Sequence, residues 1–464
     1  MKIKPSLSAK KLLPQIQQLF ELSGAKIMRI HERWKPESGT PVFTVKGKYT
    51  TRGWTEWTQG FQFGAALLQF DADGDKRFLD YGIQGTLDTM ASHVSHIGVH
   101  DHGFNNISTY GNLLRLHREG KIPRDSWAEA FCELALKVSG ATQAARWTAL
   151  PGDLGYIYSF NGPHSLFIDT IRSLRVLSAA HTLGHVLMGE QDRRISLLER
   201  MLQHAEATAR YNIYFGEGRD IYDIAGRAVH EAIFNTTNGA FRCPSTQQGY
   251  SPFSTWTRGQ AWALSGYPEQ LEYLQTLPER SFADLKVADL NGKESFTERF
   301  LETSRALADF YIEQTPTDGI PYWDTGAPGL VHLEGWRDRP ADPYNEYEPV
   351  DSSAAAIAAQ GLLRLGRTLQ EVGNETDGQR YFQAGLTVAE TLFSEPYLCT
   401  DPKHEGLILH SVYHRPNGWD HVPPGKKVPC GEATMWGDYH SRELALYIKK
   451  IAEGAPYYTF WSTL

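Results

Sequence analysis

Asp351–Arg364 reads DSSAAAIAAQGLLR. An Asp and two serines open a run rich in alanine, the best helix former, and poor in charge. A helix that is small and apolar on nearly every side suits a crowded position, buried on several faces. A second type stands upstream. Ser295 and Glu298 are spaced as in a capping box, ahead of Phe300, Leu301, Ser304, Leu307, Tyr311 and Ile312. That series keeps one face largely apolar and leaves Glu302, Arg305 and Asp309 elsewhere. Gln379–Phe393 and Ser441–Ala452 are amphipathic in the same way, and strand signals are sparse, the best being PVFTVKGKY at Pro41–Tyr49. Two kinds of helix joined by Trp- and Gly-rich connections predict an all-α fold, a closed ring of helical hairpins with inner helices packed on both sides. Six hairpins in 464 residues would have ~77 residues each, which allows ordinary helices and generous loops. No linker or charge run divides the chain, so one α/α domain over 1–464 is expected, with 1–50 as a helical and extended lead-in.

Composition narrows the partners. Lys+Arg total 46 against 54 Asp+Glu, a net charge of −8, which argues against a nucleic-acid binder. No apolar run approaches the ~20 residues of a membrane span. Near the N-terminus Leu12, Leu13, Ile16, Leu19 and Phe20 are interrupted by Pro and Gln, as in a surface helix rather than a secretory signal. Cys132, Cys243, Cys399 and Cys430 lie far apart with no CxxC pair, as reduced thiols of a cytoplasmic protein would. No feature sets an oligomeric state.

Trp57–Gly60 (WTQG), Trp256–Gly259 (WTRG) and Met435–Asp438 (MWGD) repeat an aromatic–Gly pattern at plausible helix starts. Shared loop packing and a shared site would each explain it. His93–Phe104, HVSHIGVHDHGF, sets His93, His96, His100 and His102 around Asp101. Gly98 and Gly103 make this a loop with no helical ligand pair, so no metal is expected. The economical reading is an Asp101 in a cleft whose proton affinity the histidines set. Asp169 lies in the apolar segment LFIDTIRS, where desolvation would raise its pKa as a general acid requires. A structural Asp paired to Arg172 or Arg175, or capping a helix, fits the spacing equally. Gln247–Trp262, QQGYSPFSTWTRGQAW, gathers Gln248, Tyr250, Trp256, Arg258, Gln260 and Trp262. Aromatic faces for sugar C–H surfaces, a forked cation for a carboxylate and amides for hydroxyls suit a carbohydrate cleft. His230, upstream in VHEAIF, is either a site residue or a packing histidine.

Together these segments resemble the unsaturated glucuronyl hydrolases, glycoside hydrolase family 88, with the unsaturated rhamnogalacturonyl hydrolases of family 105 next. The matching pieces are WTQGFQFG at Trp57–Gly64, HDHGF at His100–Phe104, FIDTIRSLRVLSAA at Phe167–Ala180, QGYSPFSTWTRGQAWAL at Gln248–Leu264, DSSAAAIAAQGLL at Asp351–Leu363 and MWGDYHSRELAL at Met435–Leu446. They run in order from about Trp54 to Leu446, and the second and third last are the most specific. The resemblance implies an (α/α)6 barrel without a cofactor. It also implies a substrate left by polysaccharide lyases, an oligosaccharide whose non-reducing end is a 4,5-unsaturated uronic acid. A carboxylic acid protonates C4 of the enol ether, water adds at C5, and the hemiketal opens and expels the remaining sugar. By the same resemblance Asp169 is the principal acid/base and Asp101 the second essential carboxylate. Trp57, His100, His230, Gln248, Trp256, Arg258 and Trp262 fall on substrate-site positions. The chain departs from the family at Gln247 and Val99, where histidines are common, and at Gln62, where Trp is usual. All three are expected to border the unsaturated ring or its neighbour. The stretch 210–227 is also longer than usual. A sugar epimerase or isomerase using paired histidines, and a carbohydrate-binding protein with a degenerate site, are the competing readings.

Overall fold

The computed structural model describes residues 1–53 and 56–455; Trp54, where the resemblance begins, lies outside them. The main helices are α1 (Leu13–Arg33), α2 (Gln59–Asp73), α3 (Lys76–Thr89), α4 (102–118), α5 (Ser126–Ala145), α6 (170–182), α7 (Leu197–Asn212), α8 (Thr257–Thr276), α9 (Gly292–Gln314), α10 (Ser352–Glu371), α11 (Glu375–Leu392) and α12 (Met435–Ala452). The even-numbered helices are buried almost throughout and pack side by side into a ring that closes where α12 meets α2. The odd-numbered helices lie outside them with one apolar stripe each. The alanine-rich segment is α10, in the inner ring, and the Asp351 side chain caps it by accepting from Ser353 N–H. Only small side chains let α8, α10 and α11 approach closely on three sides, which explains the composition.

Several details differ from the sequence reading. The helix expected from Ser295 begins earlier, at Gly292. The Ser295 hydroxyl donates instead to the carbonyls of Asn291 and Gly292, so it stands inside the first turn. Ser441–Ala452 belongs to an inner helix and is buried from Ser441 to Ile448. It reads as amphipathic because its charged groups are paired internally. Arg172 and Arg175 of α6, Glu269 and Glu272 of α8, Arg364 of α10 and Glu443 of α12 form one buried network, with Arg172–Glu269 at 2.9 Å, Arg172–Glu443 at 3.2 Å and Arg364–Glu272 at 2.7 Å. Helix α1 stands in the outer ring against α12 and α2.

Strands are short. The Pro41–Tyr49 signal becomes a hairpin of β1 (Pro41–Val45) and β2 (Lys48–Thr51). A second hairpin joins β3 (Trp147–Leu150) to β4 (Leu154–Ile157). A three-stranded antiparallel sheet, unforeseen in the sequence, is built from β5 (Ser165–Phe167), β6 (Glu231–Phe234) and β7 (Phe241–Ser245), with β6 in the middle. Because hairpins alternate inner and outer helices, all the inner helices run the same way and their N-termini gather at one end of the barrel.

Candidate active site

At that end a cavity of about 320 Å³ opens among the loops preceding the inner helices. Trp57 precedes α2, Asp101 stands at the N-terminus of α4, Asp169 at that of α6, and Trp256 at that of α8. Of the nine site residues expected from the sequence, all but His230 line the cavity. The small sheet explains how distant segments meet. Strand β5 leads into Asp169, β6 follows His230, and β7 leads to Gln247 and Gln248. The aromatic–Gly repeats mark shared geometry: Trp57 stacks on Trp436 with centroids 5.0 Å apart, and Trp57 and Trp256 both line the cavity.

Three groups form its polar centre. His100 Nε2 lies 3.3 Å from Asp169 Oδ2 and 3.8 Å from Asp101 Oδ1, and all three residues are buried. The glycine in HDHGF allows this closeness. A Cβ on Gly103 would fall 2.0 Å from the Ser173 carbonyl, so α4 can meet α6 here only through glycine. Ser173 Oγ accepts from Gly103 N–H and donates to the His100 carbonyl, which also accepts from Gln143. Neither structural alternative for Asp169 holds, since Arg172 and Arg175 pair with Glu269 and Glu443 and the Asp169 side chain makes no cap bond.

Electrostatics correct the expectation that Asp169 is raised. Burial pushes its pKa up, but the hydrogen bond and the charge of His100 outweigh burial and hold it below the ordinary value. Burial first, with the Asp169 charge behind it, raises Asp101 against the pull of His100. Burial lowers His100, yet Asp101 and then Asp169 lift it above its usual value. The ligand atoms of these three lie within 4.8 Å of one another, close enough to hold a cation. His230 stands one layer back, between Phe167 and Trp256. Its Nδ1 accepts from the Gln247 and Gln248 N–H groups, which fixes the Nε2–H tautomer. Burial keeps it neutral, with its pKa lowered to about 4. His100 Nδ1, Asp169 Oδ1 and His230 Nε2 are buried without a protein partner.

Arg258 is more occupied than its motif suggested. Nη1 donates to Asp351 Oδ2 and the Val412 carbonyl, and Nη2 donates to Gln248 Oε1 and the Tyr413 carbonyl. It thereby ties α8 to the cap of α10 and to the loop before α12. That loop supplies Tyr413, His414, Asn417 and Trp419 to the cavity, residues that sequence reasoning missed although their aromatic density was a usable signal. Phe160, stacked on His100, was also missed. Gln247 and Val99 line the cavity as expected, but Gln62 does not: it bonds Gln59 and the Tyr81 hydroxyl on the side of α2 facing α3. Of the histidine-rich loop, His93 accepts from Asn105 and His102 bonds Ser139 and the His96 carbonyl, so neither joins a histidine acid/base pair.

No protein-family model matches the chain. It is 27% identical over 422 residues, 88% of its length and 90% of the relative's, to the unsaturated glucuronyl hydrolase of Bacillus sp. (strain GL1). It is 24% identical over 418 residues, 89% of its length and 86% of the relative's, to the unsaturated chondroitin disaccharide hydrolase of Streptococcus agalactiae serotype III (strain NEM316). Among solved structures, the Bacillus sp. GL1 enzyme superposes with a TM-score of 0.68 at 23% identity, covering 94% of this chain and 97% of that one. A heparin-specific unsaturated glucuronyl hydrolase gives 0.70 at 21% identity, covering 95% and 98%. Fold and site define an α/α-barrel glycoside hydrolase. Along nearly its whole length the chain is similar to the unsaturated glucuronyl hydrolases.

Proposed function

We propose that this enzyme hydrates the C4=C5 double bond of a 4,5-unsaturated uronic acid at the non-reducing end of lyase-generated oligosaccharides, with Asp169 and Asp101 as the working carboxylates. The observation that carries this reading is His100 bridging two buried carboxylates in an aromatic-walled cavity. In the free enzyme proton affinity is shifted toward His100 and Asp101 and away from Asp169. An incoming uronate adds a negative charge and displaces water, both of which raise carboxyl proton affinity. Asp169 then takes the proton along its contact with His100 and delivers it to C4. Its carboxylate next accepts a proton from the water whose oxygen bonds C5. The C5 hemiketal opens, and the aglycone leaves with a proton on its former glycosidic oxygen. Asp101 holds the compensating proton, and His230 Nε2–H is a fixed neutral donor behind the ring.

The anion is received despite the net charge of −8, because the positive ends of the inner helices meet at this end of the barrel. Arg258 acts as a positioning residue for Gln248 and the 412–413 backbone. Trp57, Trp256 and Trp262 supply sugar-stacking faces. Relatives named for unsaturated chondroitin disaccharides support a uronate-containing substrate. Among the described residues no helix is long and apolar enough to cross a membrane, and the four cysteines are unpaired. We place the enzyme in the cytoplasm on the strength of those free thiols. Loss of the conjugated ultraviolet absorbance of a lyase-generated disaccharide tests the reaction: hydration removes it, whereas isomerisation of ordinary sugars or simple binding does not.

A further inference from the structure

The long stretch between α7 and β6 folds into a loop that closes on itself. Both Asp223 carboxylate oxygens accept backbone N–H groups, those of Gly216, Glu217 and Arg219, at 2.8–3.2 Å. Arg219 lies over the Tyr214 ring and donates to the Ile213 and Tyr211 carbonyls. Arg227 pairs with Asp220 at 2.7 Å, and Asp220 accepts from Tyr222 N–H. The loop ends at Gly226, where φ is +81° and a Cβ would fall 2.0 Å from the Ala306 carbonyl. A loop so firmly held nonetheless presents apolar side chains to solvent: Ile221 is 90% exposed, Tyr222 50% and Ile224 52%. Tyr222 meets Phe253 with ring centroids 5.5 Å apart, and Phe253 and Tyr250 are themselves 46% and 52% exposed.

Position gives this patch a purpose. Tyr250 lies two residues beyond Gln248 and Phe253 three before Trp256, so their Cα atoms are within ~7 and ~10 Å of cavity-lining residues. The loop is anchored to the same segment, since Arg227 donates to the Pro252 carbonyl. The cavity, at about 320 Å³, is at the small end of ligand sites. A saccharide longer than the reacting unit and its neighbour must therefore cross the rim.

We propose that Tyr222, Phe253 and Tyr250, held by the 216–226 loop, form a distal subsite that stacks the pyranose rings of a longer unsaturated oligosaccharide. Exposed, preorganised rings lose little entropy on contact and offer flat apolar faces to sugar C–H surfaces. The proposal rests on the reaction assigned above and adds that this enzyme prefers chains longer than a disaccharide.

The test compares kcat/KM for the unsaturated disaccharide and tetrasaccharide from the lyase digest that the wild type turns over fastest. The wild type is expected to favour the tetrasaccharide about tenfold. In the Tyr222→Ala, Phe253→Ala double variant the ratio should fall to about one, through KM, with unchanged thermal unfolding. A wild-type ratio near one, or an unchanged ratio in a folded variant, overturns the subsite. Failure of every digest to lose absorbance with the wild type would instead overturn the reaction on which it rests.

Discussion

Asp169 and His100, 69 residues apart in sequence, meet at 3.3 Å in the buried end of the barrel, and this contact holds the Asp169 carboxyl below its ordinary pKa against the effect of burial. Burial alone would raise the proton affinity of Asp169. The imidazole outweighs burial and holds that carboxyl below its ordinary value, while burial and the Asp169 charge raise Asp101 against the pull of the same imidazole.

Replacing His100 by Asn should therefore release Asp169 to the effect of burial. Its pKa rises, as a direct spectroscopic titration of the Asp169 carboxyl would read, and kcat falls about a hundredfold because the proton carrier beside it is lost. A carboxyl pKa that stays in place, or falls, would show that His100 does not set the state of Asp169.

Arg258 should behave as a positioning residue. Arg258→Lys cannot make the four Nη bonds that hold Gln248, Asp351 and the 412–413 carbonyls. Thermal unfolding should shift down by several degrees, a loss of about 2 kcal/mol, together with at least a tenfold fall in kcat/KM. A weakened KM at unchanged Tm would mean that the guanidinium acts on the ligand alone.

The buried network of six charges gives stability a defined pH dependence. Glu443 is held down to about 2, since the charges of Arg175 and Arg172 overcome its burial. Its folded-state pKa is below its unfolded value, so its contribution is complete above ~4.5 and is lost as pH falls toward 2. Glu443→Gln should cost about 3–5 kcal/mol at neutral pH, because it leaves buried arginines without their partner. Denaturant unfolding at pH 7 and pH 3 should show the gap between wild type and variant narrowing in acid. A gap that widens would refute the assignment.

What could be read in the sequence was local. Ala354–Arg364 announces its inner-ring position because a composition rich in alanine reports crowding directly, and Asp351 announces the helix start. The carboxylates, the tryptophans and Gln248 were legible as residue types that sugar chemistry needs. The three-residue strand β5 was not, because pairing with β6 across more than sixty intervening residues makes it a strand. The direction of the Asp169 shift and the occupation of Arg258 were hidden for the same reason: their partners His100, Asp351 and Val412 are distant in the chain. Gln62 looked like a site position because it follows WTQGF, but the helical turn points it toward Tyr81.

The central claim is that Asp169 transfers the proton to substrate carbon. It is tested most directly with Asp169→Asn and a lyase-generated unsaturated disaccharide, followed by ultraviolet absorbance and by calorimetric binding. The wild type should bleach the conjugated absorbance. The variant, isosteric and folded, should bind within about tenfold of the wild type and lose at least about three orders of magnitude in turnover. Turnover near the wild-type rate in that variant would contradict the account.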